Sequence, residues 1–231
     1  MSGATPLPWD GYDAYLFDID GTLLNCSDAV HYFAFCNVLT ELAGRPLNLD
    51  GVTAHGNTDT GILRDALRLA GVPDAQWRPQ LPRVYQAMCA HVEANRADLQ
   101  PHVLPHVREV LEHLSSNGAV LGVATGNLAG IGSLKLSRCG LLGFFDFFSY
   151  SDGLESRTEV FAASLERARE LAGARARVGA VGDTPADIEA AKANGLDIIA
   201  VATGIYSQEQ LLKHRPTLCV PSLAVLLKSV V

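Results

Sequence analysis

The chain has 231 residues, 48% of them hydrophobic and 19% charged, and carries a net charge of −7. That length supports one large domain, or a core with a smaller domain inserted. The acidic balance, with no basic cluster, argues against an extended nucleic-acid or anionic-membrane surface, and no stretch approaches the length of a membrane span.

Cys26, Cys36, Cys89, Cys139 and Cys219 are odd in number and form no CxxC. They read as reduced thiols of a cytoplasmic protein. The first ten residues have neither a basic region nor an apolar run, so no secretory signal is expected. Residues 1–11 contain Pro and Gly and are expected to be extended or loose.

Ala14 to Phe17 is a short apolar run with two aromatics, which predicts a strand buried on both faces. Asp18 and Asp20 follow, one residue apart, before Gly21 and Thr22 turn the chain. In extended backbone their side chains share a face. The pair reads either as a polar Asp-Gly turn or as two carboxylates whose repulsion a cation or a shared proton must relieve. Mg2+ suits the second reading, because it takes oxygen ligands and keeps waters and substrate phosphate as the others.

From residue 25 to about 101 the spacing is helical. Helices are predicted over 27–43, with Ser27 as N-cap and Gly44 as stop, over 59–70, and over 82–95. With no clear strand there, the region reads as an all-helical insertion. Alternation follows. Helices are predicted over 105–116 (Pro105 in the first turn), 128–139, 157–172, 185–193, 207–213 and 223–228. Strands are predicted over 119–124, 144–150, 178–181, 197–201 and 218–220. This order predicts an α/β fold, a Rossmann-like parallel sheet with βαβ crossovers and an inserted helical domain.

Three further stations stand at strand ends or helix starts. Thr125-Gly126-Asn127 follows a strand, where a hydroxyl and backbone amides suit either a phosphoryl oxygen or a helix cap. Arg157 opens a helix, as a solvated cation or as a bidentate bridge between carboxylate and phosphate. In Gly182-Asp183-Thr184-Pro185-Ala186-Asp187, Thr184 is a fair N-cap and Pro185 a good first helical residue. Asp183 reads as a turn residue or a ligand, and Asp187 as a dipole-stabilising cap or a ligand.

Asp18-Ile19-Asp20-Gly21-Thr22-Leu23 resembles the first motif, DxDGT[LV], of the haloacid dehalogenase superfamily. The three later stations, in order, resemble its other motifs. Arg157 stands where the superfamily usually has a Lys. The likeness covers about residues 13–195 and points to the phosphoglycolate phosphatase/β-phosphoglucomutase-like branch, whose helical C1-type cap lies between the first two motifs. It implies a core of residues 1–24 and 102–231 and a cap of residues 25–101.

The resemblance implies a phosphatase using Mg2+ and an aspartyl-phosphate intermediate on a small phosphorylated metabolite, as a monomer or homodimer. Asp18 is then the nucleophile and Asp20 the acid/base. Thr125, Gly126, Asn127 and Arg157 would hold phosphate. Asp18, Asp20 (through its carbonyl), Asp183 and Asp187 would hold the metal. Asn57, Thr58 and Asp59 of the cap loop would meet the substrate, with His55 and Asn25 as weaker candidates. Asp20 speaks against a dehalogenase, which lacks that second acid. The absence of Lys between 25 and 101 speaks against phosphonate cleavage, which needs a cap lysine. The alternatives kept are a phosphosugar mutase, with Arg64 as its nearest cap cation, and a non-catalytic phosphate-binding protein.

Overall fold

The computed structural model describes residues 8–227. Most of the expected loose N-terminus (residues 1–7), and the last residue of the helix expected over 223–228, lie outside the described residues. The elements in order are β1 (Ala14–Phe17), β2 (Leu24–Cys26), α1 (Val30–Ala43), α2 (Asp59–Leu69), α3 (Asp74–Trp77), α4 (Leu81–Ala94), β3 (Pro101–Val103), α5 (Val107–Ser116) and β4 (Val120–Ala124). There follow α6 (Ala129–Arg138), β5 (Phe147–Ser149), α7 (Arg157–Ala172), β6 (Val178–Gly182), α8 (Pro185–Ala193), β7 (Asp197–Val201), α9 (Gln208–Leu212), β8 (Leu218–Val220) and α10 (Ala224–Leu227).

Six strands form one parallel sheet in the order β5-β4-β1-β6-β7-β8. This is the parallel α/β architecture expected from the alternation. β1 sits between β4 and β6, so the chain leaves β1 toward one edge and later returns on its other side. Both faces of β1 are buried. Tyr15 and Phe17 pack with Val110, Leu111 and Leu114 of α5. Ala14 and Leu16 pack with Val160 and Phe161 of α7 and Ile188 of α8. Each large side chain so buried contributes roughly 1.5–3 kcal/mol.

Residues 30–94 build a separate core from Phe35, Leu39, Leu63, Leu67, Trp77 and Met88. Leu128 and Ile131, at the start of α6, join it. The helical insertion is thus packed onto the loop that follows β4.

Several details differ from the sequence reading. β2 and β3, at the borders of the insertion, form a two-stranded antiparallel ribbon that no periodicity announced. Ser27 does not cap α1. Asp28 does the work instead, accepting from Val30 N at 2.9 Å with one oxygen and from Gln100 N at 2.7 Å with the other. Pro105 precedes α5 rather than opening it, because His106 takes a left-handed conformation (φ 62°) and ends the approach. The strand expected over 144–150 shrinks to Phe147–Ser149, since residues 142–144 form a 3-10 turn.

Candidate active site

The register of the sheet sets the site. Phe17 pairs with Val123 on one side and Val181 on the other. The residues that leave these three strands therefore emerge together at the carboxyl edge, the crevice where open α/β sheets bind ligands. They are Asp18, Thr125 and Asp183. Asp18 N donates to Val181 O at 3.0 Å, which anchors the first of them. Gly21 makes the turn with φ +87°, and a Cβ there would lie 2.2 Å from Asp183 Oδ2, so only glycine permits this approach.

Capping interactions place the next two groups. Thr184 caps α8 in a reciprocal capping box with Asp187, and Ser156 caps α7 in the same way with Glu159. Asp187 and Arg157 are thereby held at two facing helix starts. Arg157 Nη2 donates to Asp18 Oδ1 at 2.9 Å, and its Nε donates to Asp187 Oδ1 at 3.0 Å. Its Nη1 is buried without a protein partner. Asp18, Asp183 and Asp187 present oxygens within 4.8 Å of one another, all three side chains buried.

One guanidinium faces three acids, and the electrostatics follow. Burial, then the neighbouring acids, push Asp18 up to about 7 against the pull of Arg157. Burial, Asp18 and Asp187 push Asp183 up to about 9. Burial opposes the Arg157 charge, but Asp187 and Asp18 outweigh it and raise its pKa. A buried cluster so short of positive charge, made of hard oxygen donors, fits a divalent cation.

The Asp20 side chain is directed elsewhere. Both its oxygens lie 2.8 Å from Lys135 Nζ, and Asn127 Nδ2 donates to Oδ2 at 2.7 Å. Burial alone would raise the Asp20 pKa, but the Lys135 charge and the hydrogen bonds from Lys135 and Asn127 lower it. Thr125 is fully buried, and its hydroxyl accepts from Asn127 N at 3.2 Å and Asn127 Nδ2 at 2.7 Å.

A cavity of about 280 Å³ lies over these groups, with Asp18, Asp20, Asp183, Arg157, Gly126 and Asn127 on the core side. The insertion closes the other side with His31, Tyr32, Phe35, His55, Asn57 and Asp59. Gly126 allows this closure, because a Cβ there would lie 2.2 Å from the Asn57 carbonyl oxygen. Asp59 N donates to Gly126 O at 2.7 Å, and Asp59 Oδ2 accepts from Leu128 N at 2.8 Å.

Not every expected residue reaches the cavity. Thr58 is the N-cap of α2: its hydroxyl accepts from Gly61 N at 2.9 Å and donates to Leu154 O at 3.0 Å. Asn25 Nδ2 lies 3.5 Å from Thr203 O. Arg64 is turned to Asp65 at 2.8 Å and Glu155 at 3.3 Å, in an outer groove.

Two residues that the sequence reading passed over do line the cavity, Lys135 and His31. His31 Nε2 lies 3.2 Å from Asp59 Oδ2. The available signal for Lys135 was its place in the run Leu128, Ile131, Lys135, which puts a lysine on the apolar stripe of α6.

A six-stranded parallel sheet whose central strand ends in DxD, opposite a buried acid from the neighbouring strand, places an acidic, cation-fitting site in the ligand crevice of an open α/β enzyme fold. The sequence profile of the Haloacid dehalogenase-like hydrolase family matches residues 15–201, and the chain belongs to this family, as a hydrolase of the phosphatase class. It is 33% identical over 183 residues to a phosphoglycolate phosphatase of Cereibacter sphaeroides, covering 78% of this chain and 81% of that one. It is 25% identical over 213 residues to a phosphoglycolate phosphatase of Nitrosococcus oceani, covering 90% and 92%. The fold is similar to that of CbbY from Rhodobacter sphaeroides, solved in complex with phosphate, with a TM-score of 0.66 at 20% identity over 92% of this chain and 95% of that one. Among the described residues, no helix is long and apolar enough to cross a membrane.

Proposed function

We propose that the protein hydrolyses the phosphate ester of a small metabolite through an aspartyl-phosphate on Asp18. The observation that carries this reading is Asp18 itself, anchored at the sheet edge, held by Arg157 and facing Asp183 in a cavity covered by residues 25–101, which serve as the cap. In the first step an Asp18 oxygen attacks phosphorus, the ester P–O bond breaks, and Asp20, having first taken up a proton from solvent, gives it to the leaving oxygen. In the second step water attacks phosphorus, Asp20 takes its proton, and the Asp18–phosphorus bond breaks to release phosphate.

Arg157 holds Asp18 and, through its free Nη1, a phosphoryl oxygen. The Gly126 amide and the Thr125 hydroxyl hold other oxygens, while the Asn127 amides are already given to Thr125 and Asp20. Asp18, Asp183, Asp187 and the Asp20 carbonyl are the groups that would hold Mg2+, whose charge, when bound, offsets repulsion between the acids and the phosphate. His55, Asn57 and Asp59 meet the leaving group, and cap closure excludes bulk water. The names of the relatives make 2-phosphoglycolate the first substrate to try. Hydrolysis is favoured over mutase chemistry because Arg64, the nearest cap-loop cation, is engaged with Asp65 and Glu155.

The test is phosphate release from a panel of phosphorylated metabolites with Mg2+. Turnover of at least one by the wild type, and of none by Asp18→Asn, is expected. Equal release by both proteins, or none by the wild type on any member, would overturn the reading.

A further inference from the structure

Among the described residues, Lys135 is a cation of the cavity wall that the phosphoryl-transfer roles above do not use. Its side chain is only 4% exposed, although burying an ammonium costs several kcal/mol. Its neighbours on the buried face of α6, Ile131 and Leu136, are apolar, and an apolar residue would fill the space more cheaply. Nζ has three protons to give. It lies 2.8 Å from Asp20 Oδ1, 2.8 Å from Asp20 Oδ2 and 2.8 Å from Asn127 Oδ1. The two Asp20 oxygens share one face of the ammonium and Asn127 takes a second direction, so Asp20 and Asn127 are its near partners; His31 Nδ1, at 3.5 Å, is a more distant neighbour.

Asn127 closes the arrangement. Its Oδ1 accepts from Lys135, and its Nδ2 donates to Asp20 Oδ2 at 2.7 Å. Asp20, whose side chain is 41% exposed toward the cavity, would otherwise be free to turn. We infer that Lys135 is a positioning residue: with Asn127 it sets the orientation of the Asp20 carboxylate, and so governs proton delivery to the leaving oxygen. This rests on the phosphohydrolase reading, in which Asp20 is the acid/base.

A positioning role predicts a dependence on the leaving group that a structural role does not. An alkyl phosphate needs its leaving oxygen protonated, whereas p-nitrophenyl phosphate hardly does. With full-length protein and Mg2+, Lys135→Met is expected to lower kcat for an alkyl phosphate about 100-fold. KM should stay within about twofold and kcat for p-nitrophenyl phosphate should fall less than about fivefold. Lys135→Arg should recover at least about tenfold of the alkyl rate. In the Asp20→Asn background, Lys135→Met should add nothing further.

Equal losses on both substrates, or a change in KM alone, would overturn the assignment. If Lys135→Met does not fold, Lys135→Gln takes its place under the same criteria. Wild-type turnover abolished by Asp18→Asn shows that the phosphohydrolase reading stands. With that in hand, a failed leaving-group contrast removes only the role given to Lys135.

Discussion

Arg157 reaches Asp18 with Nη2 at 2.9 Å and Asp187 with Nε at 3.0 Å, so one guanidinium spans two buried acids, one from the loop after β1 and one from the first turn of α8. A lysine at this position would present a single point of charge. The planar fork instead ties the loop after β1 to the first turn of α8.

Arg157→Met leaves both acids without their cation, and a loss of roughly 3–5 kcal/mol of stability is expected, together with loss of activity. Arg157→Lys keeps the charge and gives up one hydrogen-bonded tie, with an expected loss of about 1.5–3 kcal/mol. Urea midpoints of the three proteins measure this. Equal midpoints for wild type and Arg157→Met would show that the pair contributes nothing to the fold.

The acids also make stability depend on pH. Asp18 is pushed up to about 7 and Asp183 to about 9, from an ordinary value of 3.8. Between those values the native state binds protons that the unfolded chain has released, so stability falls as pH rises through that window. Below it the contribution is fully present. Thermal midpoints in EDTA are expected to decline from pH 5 to about pH 9, and saturating Mg2+ to reduce the decline. A midpoint that rises over that range in EDTA would contradict this.

Thr58 separates a structural from a substrate role. Its hydroxyl is spent on Gly61 N and Leu154 O. Thr58→Ala should therefore cost about 1 kcal/mol of stability through loss of the cap, while KM for any substrate found stays within twofold, or about 0.4 kcal/mol. A large KM effect with unchanged stability would return Thr58 to the binding surface.

Gly126→Ala tests how closely the insertion must approach. The new methyl would lie 2.2 Å from the Asn57 carbonyl oxygen, which is backbone and cannot simply rotate away. A cost of roughly 1–3 kcal/mol is expected, with at least about a tenfold loss in kcat/KM as Asn57 and Asp59 shift from the cavity. Wild-type kinetics in this variant would show that the contact is not needed for turnover.

The sheet was legible because β1, β4 and β6 are continuous apolar runs with turn signals at their ends, as two-sided burial requires. Asp18 and Asp183 were legible for the same reason, being the first polar residues past those runs. β2 and β3 were not, because three residues carry no period and each strand exists only through pairing with the other. The fate of side chains was the least readable. Asp20 and Lys135 are 115 positions apart, and only the packing of α6 against the edge brings them together. Thr58 read as a substrate contact, and its role as the α2 cap was missed, since the same hydroxyl chemistry serves both.

The place of β1 in the sheet also sets when the molecule can act. Ala14 pairs with Val120 on one side and with Val178 on the other. β1 precedes both of its flanking strands in the chain and must wait for each of them during synthesis. The helices of the insertion precede β4 and β6 in the chain. Such distant pairings are slow to form, and the acidic cluster assembles only once β6 and the start of α8 are in place. A truncated product ending before β6 would carry Asp18 but neither Asp183 nor Asp187, and so could not assemble the acidic cluster.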